Sequence, residues 1–255
     1  MIPEGWKMTS LIDISEKISD GIHTTPKYVD ESEYYFINGN NLKKNKIEIT
    51  NNTKRVTHKE YLKYKKELGK NTILLSINGT IGNLAYYNDE KVILGKSAAY
   101  INLNKGIDKK FIFNKLASSL IQNYFISELT GSTIRNLSIK TIKQTKFPLP
   151  PHKEQIEIAK TLSTWDKAIE TTEKLIKNSQ VQKKALSLQL LMGRKRFPKF
   201  IKLKKYYKTK YGELPKDWKF VPIAELASEI TERNKIKKQL PVLSCSKYEG
   251  FVDSL

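Results

Sequence analysis

The sequence predicts an α+β protein, in which a mixed α/β globular domain is followed by a long helix of coiled-coil type and the start of a second globular domain. Three observations lead to this prediction. Residues 1–150 alternate short β-rich segments with Gly and Asn turns. Residues 152–192 contain neither Pro nor Gly. The opening of the chain recurs 212 residues later, so a second unit begins there.

The first domain is predicted from β-branched and aromatic runs that end in turn residues. The predicted strands are Tyr34–Asn38, Thr72–Ile77, Asn83–Tyr87 and Ala98–Leu103. Apolar residues at helical spacing predict one helix over residues 111–130, which stops at Gly131. The run Phe147–Pro151 contains three prolines and predicts a stiff, extended connector to the next element.

The repeat relates the two ends of the chain. Pro3 and Trp6 recur as Pro215 and Trp218, and the apolar positions that follow each Trp coincide. Their spacing of three and four predicts a short helix after each Trp. Residues 214–255 are too few to bury a core like that of the first unit. We therefore expect the second unit to be truncated or to be completed by a partner.

The long helix is predicted from residue 152 to residue 192. Pro151 suits its first turn, Glu154 suits its positive N-terminal end, and Gly193 follows its last residue. About 41 residues rising about 1.5 Å each give a helix of roughly 60 Å. An apolar stripe with a polar middle predicts a seam against a partner helix; packing against the globular domain is the alternative. The predicted interface residues are Ile158, Leu162, Trp165, Ile169, Ile176, Leu186 and Leu190.

The charge of the chain favours a polyanionic partner. Lys and Arg number 46 against 26 Asp and Glu, which gives a net charge of +20 and a sequence pI of about 9.7. Only five of the basic residues are Arg, and Lys, Asn and Ile are all plentiful. An AT-rich genome gives this composition to all its proteins, so part of the charge is background.

Several classes of protein are excluded by what the sequence lacks. The single Cys245 excludes a disulfide framework and a multi-cysteine zinc site, and the three His lie far apart. A signal peptide, a membrane span, and the common hydrolase, nucleotide-binding and methyltransferase motifs are all missing. Two D-x-K matches, at residues 89–91 and 108–110, are expected by chance in a chain so rich in Lys. The sequence therefore predicts a cytoplasmic protein that binds no metal or cofactor and does no chemistry itself.

A set of motifs in fixed order points to one family. The chain opens on P-x-G-W and continues with S-I-N-G-T-I-G at 76–82, T-G-S-T-I at 130–134 and F-P-L-P-P at 147–151. The long helix contains L-S-T-W-D-K-A-I-E at 162–170 and ends near L-L-M-G-R-K-R-F at 190–197. Together these motifs resemble the specificity (S) subunit of type I restriction-modification systems, which defend cells against phage, over nearly the whole chain.

The resemblance implies a domain plan and a set of partners. Residues 1–150 would be a target-recognition domain, 151–193 a spacer helix, 194–213 a basic linker and 214–255 the N-terminal fragment of a second recognition domain. Such subunits are not catalytic. Each domain reads half of a split site in double-stranded DNA, and two antiparallel helices separate the domains. Methyltransferase (M) subunits, which bind S-adenosylmethionine, and restriction (R) subunits join the complex.

This sequence departs from the family plan because its second domain stops after a strand and a loop. The chain would then read one half-site, and two copies would pair through residues 152–192 to rebuild a two-domain reader. The rival interpretation is a shortened product with a disordered tail. Two other functions stay open at this stage: a basic RNA-binding or ribosome-associated protein, and a stand-alone DNA nuclease.

DNA-contacting residues are predicted from side-chain chemistry, with Lys on phosphates, Asn on adenine and Arg135 on guanine. A solvated Lys face, an Asn-Gly turn and a structural role for Arg135 are the respective alternatives. The predicted residues are Asn40, Asn41, Lys43, Lys44, Lys46, Lys54, Arg55, Asn78, Thr80, Lys96, Ser97, Ser132, Thr133 and Arg135.

Overall fold

The computed structural model describes residues 2–131, 135–203, 205–210, 212–231, 243–246 and 250–253. The predicted fold class is confirmed, with mixed sheets and helices followed by one long helix. The strands are β1 (Lys7–Ser10), β2 (Ser15–Asp20), β3 (Tyr28–Val29), β4 (Tyr34–Ile37), β5 (Leu42–Lys43), β6 (Lys46–Ile47), β7 (Arg55–Val56), β8 (Thr72–Ser76), β9 (Leu84–Tyr86), β10 (Val92–Leu94), β11 (Ala98–Leu103), β12 (Lys146–Leu149), β13 (Tyr206–Thr209), β14 (Gly212–Pro215), β15 (Leu243–Ser246) and β16 (Gly250–Asp253). The helices are α1 (His58–Tyr64), α2 (Lys109–Ala117), α3 (Ser119–Ser127), α4 (Ile139–Gln144) and α5 (His152–Leu191).

The central sheet has the strand order β2-β11-β8-β9, and all its pairs are antiparallel. Successive side chains of a strand point to opposite faces, and here both faces are buried. Ile73 and Leu75 of β8 pack into one hydrophobic cluster with the helices, while Leu74 packs into a second cluster. Burial on both faces explains why β8 is continuously apolar apart from its two ends.

The second sheet covers the Leu74 side of the central sheet. Its order is β10-β4-β7-β3, with β10 and β4 parallel and the other pairs antiparallel. Ile37 at the end of β4 and Leu94 at the end of β10 are fully buried in the same cluster as Leu74. This packing fixes the loops that follow β4 and β10, which carry several of the predicted DNA-contacting residues.

All four predicted strands are present, with ends that agree to within a residue. The single helix predicted over 111–130 is wrong, because the chain breaks at Ser118, whose backbone is extended (φ −63°, ψ 145°), into α2 and α3. The side-chain amide of Gln122 donates to the Leu116 carbonyl (2.7 Å), so the last turn of α2 has a hydrogen-bond partner at the break. The apolar periodicity continues across the break because both helices bury residues in one core.

In place of the short helix predicted after each Trp, the structure has a single 3-10 turn, at Ile12–Ile14 after Trp6 and at Ile223–Glu225 after Trp218. Ile18 lies in β2 opposite Ile101 of β11. This segment forms a strand despite its helical spacing, because pairing with the central sheet buries Ile18, whose side chain is 3% exposed. The segment 146–149 is extended as predicted and pairs with β1.

The predicted long helix is present as α5, which has 40 residues. Its first two turns are anchored to the globular domain. The buried Gln155 accepts a hydrogen bond from the Asp108 backbone N–H (3.0 Å) and donates to the Pro150 carbonyl (2.9 Å). The indole N–H of Trp6 donates to the Glu154 carboxylate (3.1 Å), and Ala159 is buried in the core.

The chain divides into two compact units, residues 1–173 and 174–255. In the second unit, Arg196 bonds the Asp217 carboxylate through both terminal nitrogens (2.8 and 2.9 Å) and also bonds the Phe200 carbonyl (2.7 Å). The guanidinium lowers the pKa of Asp217 to about 2 and lies over the Trp218 ring. Trp218, the repeat partner of Trp6, thus packs beside the chain that leaves α5.

Candidate nucleic-acid interface

Four loops meet beside the central sheet, and we call them together the loop surface: residues 38–41, 76–83, 95–97 and the described part of 130–137. The backbone N–H of Gly39 donates to Ser97 Oγ (2.9 Å), which joins the first loop to the third. Asn78 forms an isolated bridge with Asn136, which joins the second loop to the fourth. The Ile77 N–H donates to the Ser97 carbonyl (3.0 Å), which joins the second loop to the third, so folding brings together the described sequence-predicted residues of these loops.

The loop at 38–41 is a tight 3-10 turn closed at both ends by asparagine side chains. Asn38 and Asn41 form a reciprocal capping box, and the Asn38 amide oxygen also accepts from Ser97 Oγ (2.9 Å). A Cβ on Gly39 would overlap Ser76 Oγ and lie 2.8 Å from the Ser97 carbonyl oxygen. Glycine is therefore required where these loops cross.

Two of the side chains predicted to contact DNA, those of Asn41 and Ser97, form hydrogen bonds within the protein at this turn. The Asn41 oxygen accepts from the Asn38 N–H (3.0 Å) and its NH₂ donates to the Glu48 carbonyl (3.1 Å). Ser97 both accepts from Gly39 and donates to Asn38. Asn41 and Ser97 therefore shape the loop surface. Asn40 and Lys96 are exposed to solvent on the same loops.

The loop at 76–83 is a hydroxyl-supported turn with two glycines at positive φ. Ser76 Oγ and Thr80 Oγ1 lie 3.2 Å apart, and Gly79 and Gly82 have φ of +69° and +89°. Asn78 Oδ1 is buried and has no hydrogen-bond partner within the described part of the chain. Thr80 is exposed at the tip.

Arg135 stands on a short, well-held stretch of backbone. Thr130 and Asn136 exchange both backbone hydrogen bonds (3.1 and 2.9 Å), and the Leu137 N–H donates to the Ile77 carbonyl (2.9 Å). Its side chain is exposed at an open cavity of about 730 Å³, which we call the Arg135 cavity. The other lining residues are Gly79, Thr80, Ile81, Asn83, Ile126 and Leu129.

A lysine-rich hairpin, β5–β6, borders the loop surface. The Asn83 amide donates to the Leu42 carbonyl (3.1 Å) and the Tyr86 N–H donates to the Asn45 carbonyl (3.0 Å), so the hairpin is held against the 76–83 loop. Lys44 and Lys46 are exposed. Lys43 is exposed too, but its ammonium is paired with Glu48 at 2.6 Å.

Arg55 lies in β7 of the second sheet and Lys54 immediately precedes that strand, so neither residue belongs to the loop surface. Lys54 lies over the Tyr28 ring (5.7 Å) and Arg55 over the Tyr35 ring (5.5 Å). Their predicted contact with DNA stays a prediction. Ser132 and Thr133 fall outside the described residues.

Sequence reasoning missed Ile81, Asn83, Ile126 and Leu129 as residues that line the Arg135 cavity. Ile126 could have been found from the sequence. It is an apolar residue outside the helical stripe of Ile121 and Phe125, which faces the core. The other three come together through long-range folding and have no local signature.

The predicted helix interface divides into an anchored start and an exposed remainder. Ile158 is half-buried against the domain core, and Leu190 is half-buried as well. The alternative of packing against the globular domain therefore holds for Ile158. The exposed stripe residues, with their exposed fractions, are Leu162 (41%), Trp165 (67%), Ile169 (58%), Ile176 (54%) and Leu186 (42%).

None of the helices formed by the described residues is both long and apolar enough to span a membrane. Across the same residues, no group of three or more His, Cys, Asp or Glu is placed to hold a metal ion.

Comparison with known proteins gives a consistent result. The sequence pattern of the type I restriction modification DNA specificity domain matches residues 3–179. A putative type I restriction enzyme MjaX specificity subunit from Methanocaldococcus jannaschii is 30% identical over 232 residues, covering 87% of this chain and 52% of the relative. The MjaVIII specificity subunit of the same organism is 29% identical over 173 residues, covering 68% and 38%.

A solved structure shows the same fold. The crystal structure of a type I restriction-modification S subunit from M. genitalium aligns with a TM-score of 0.51 at 23% identity, covering 74% of this chain and 46% of that one. The chain spans about half, or less, of the length of these similar proteins.

Proposed function

Because the chain belongs to the type I restriction modification DNA specificity family, we propose that it is a non-catalytic subunit that reads one half of a bipartite site in double-stranded DNA. The loop surface is the reading surface in this proposal. The single observation that supports it best is the convergence of Asn40, Thr80, Lys96 and Arg135 on loops joined by hydrogen bonds. Side chains on fixed loops can be held in register with base edges.

The exposed basic residues supply the affinity. Lys44, Lys46 and Lys96 are three exposed cations on or beside the loop surface that can reach phosphates. Three such contacts give a slope of log K against log salt of about −2.7, so that affinity falls roughly 40-fold between 50 and 200 mM salt. The measurement is a salt titration of binding to duplex DNA. An affinity that stays constant across that range would contradict the proposal.

Specificity is assigned to Arg135. Arg135→Ala should cost about 1–3 kcal/mol on the target sequence and little on random duplex, because a bidentate bond to guanine is specific to that base. Arg135→Lys is the matched control, since it keeps the charge and loses the fork. Equal losses on both DNAs would assign Arg135 to phosphate instead.

The partners follow from the relatives, which are specificity subunits of restriction enzymes. We propose that the chain positions M subunits, which supply S-adenosylmethionine and the methyl transfer, and that R subunits join the same complex in the cytoplasm. The chain alone should neither methylate nor cut DNA. Incubation of the purified chain with plasmid, magnesium and S-adenosylmethionine tests this, and either activity would favour the stand-alone enzyme.

The exposed stripe of α5 is proposed to pair with the same stripe of a second copy, through residues 152–192. Trp165 and Ile169 expose more than half of their surface in the N-terminal half of the proposed contact. A second copy also brings a second loop surface, which a bipartite site requires.

In sedimentation the chain should be a dimer at micromolar concentration, and Trp165→Glu should make it a monomer. Lys167→Glu, at an exposed position outside the proposed stripe, should leave the dimer intact. A native monomer would contradict the pairing.

RNA binding remains the second candidate because the net charge of +20 suits any polyanion. Filter binding with matched duplex DNA and RNA separates the two candidates. Tighter binding to RNA would overturn the proposal.

A further inference from the structure

The Arg135 cavity is lined by two chemically different sets of residues. Thr80, Asn83 and Arg135 are polar, and the apolar set, which we call the apolar wall, is Ile81, Ile126 and Leu129. Its volume of about 730 Å³ is in the range of sites that enclose part of a ligand. A surface that only had to bind phosphate would have no need of the apolar wall.

Ile126 is not a core residue of α3. The helix buries Ile121 and Phe125 in the domain, whereas Ile126 is 57% exposed and points to the cavity that it lines. Ile81 and Leu129 are partly buried and pack against the core, so the apolar wall has a fixed base. The outer part of this wall is formed by Ile126.

The edges of DNA base pairs offer one apolar group in the major groove, the C5 methyl of thymine. Guanine offers two acceptors, N7 and O6, which match the fork of an Arg. Arg135 and Ile126 line the same cavity, so an occupant that satisfies both carries two acceptors beside a methyl group. Adjacent guanine and thymine edges have that chemistry.

We propose that the Arg135 cavity reads a thymine adjacent to a guanine, with Ile126 contacting the thymine C5 methyl and Arg135 bonding the guanine. The inference rests on the proposed function, which supplies the duplex. It adds Ile126 as a specificity-determining residue and names the base that this residue selects.

The test uses the full chain and a pool of short random DNA duplexes. Sequences enriched by binding are resynthesised with one thymine at a time replaced by deoxyuridine, which lacks the C5 methyl and is otherwise identical. At one thymine next to a guanine, this change should weaken binding about fourfold, the value of one buried methyl group. Ile126→Ala should weaken binding to the thymine duplex and should abolish the difference between thymine and deoxyuridine.

Leu120→Ala is the matched control, because Leu120 is 68% exposed on the same helix and does not line the cavity. This variant should keep the fourfold difference. Enriched sequences without a methyl-dependent thymine, or a dependence that Ile126→Ala leaves unchanged, would overturn the inference and leave the proposed function standing. Failure of the pool to enrich any sequence would overturn the proposed function, and this inference with it.

Discussion

Gln155 joins the long helix to the N-terminal globular domain, and its replacement by Ala should destabilise that domain strongly. The side chain is 2% exposed and makes two hydrogen bonds, to the Asp108 N–H and the Pro150 carbonyl. Each bond contributes about 1 kcal/mol net, and each partner left buried and unpaired costs about 1–3 kcal/mol. Some relaxation toward water is expected, so we predict a loss of about 2–4 kcal/mol in the free energy of unfolding.

The assay is urea unfolding followed by Trp6 fluorescence in a background that carries Trp165→Phe and Trp218→Phe. Trp6 is a local reporter, because its indole N–H bonds Glu154 in the same helical turn as Gln155. Gln182→Ala makes the same chemical change at an exposed position of α5 and should cost under about 0.5 kcal/mol. Equal unfolding midpoints for the two variants would refute the assigned role of Gln155.

Three further predictions concern the loop surface, the second unit and the core. Gly39→Ala should weaken DNA binding at least tenfold with little change in helix content by circular dichroism, because the added Cβ would lie 2.8 Å from the Ser97 carbonyl; unchanged affinity would count against the loop surface. The Arg196 guanidinium lowers the pKa of Asp217 from 3.8 to about 2, so the stability that this pair contributes is present above pH 4 and is lost as the pH falls toward 2. The fluorescence of Trp218, in a variant that keeps it as the remaining Trp, should report this loss. Asp217→Asn should remove the pH dependence. Phe125→Ala should cost about 3–5 kcal/mol in urea unfolding, because the ring is fully buried; a cost below 1 kcal/mol would contradict that packing.

Much of the fold follows from local pattern. β8 and β11 could be predicted because strands buried on both faces read as apolar, β-branched runs. α5 could be predicted because 41 residues without Pro or Gly, bounded by Pro151 and Gly193, have few other structures open to them. The break at Ser118 and the strand at Ile18 could not be predicted, because each depends on a partner distant in sequence or on packing against a shared core.

The candidate site was predictable in its residue types and less so in their roles. The Gly and Asn turns marked the loops that meet, and Arg135 does line a cavity. The amide of Asn41 was expected to face DNA, yet it closes the turn with Asn38; the spacing of two capping residues three apart was a local signal for this. The apolar wall was missed because Ile81, Ile126 and Leu129 become neighbours through the tertiary fold alone.

We propose above that this chain reads DNA sequence through its loop surface and does so in pairs. Methylome sequencing of cells that carry the chain with its methyltransferase subunit tests it most directly. We expect methylation at a split motif whose two halves are the same sequence in inverted orientation, and the loss of that motif with Arg135→Ala. Methylation that is absent, or that does not depend on this chain, would contradict the reading function, and a motif with two different halves would contradict the pairing.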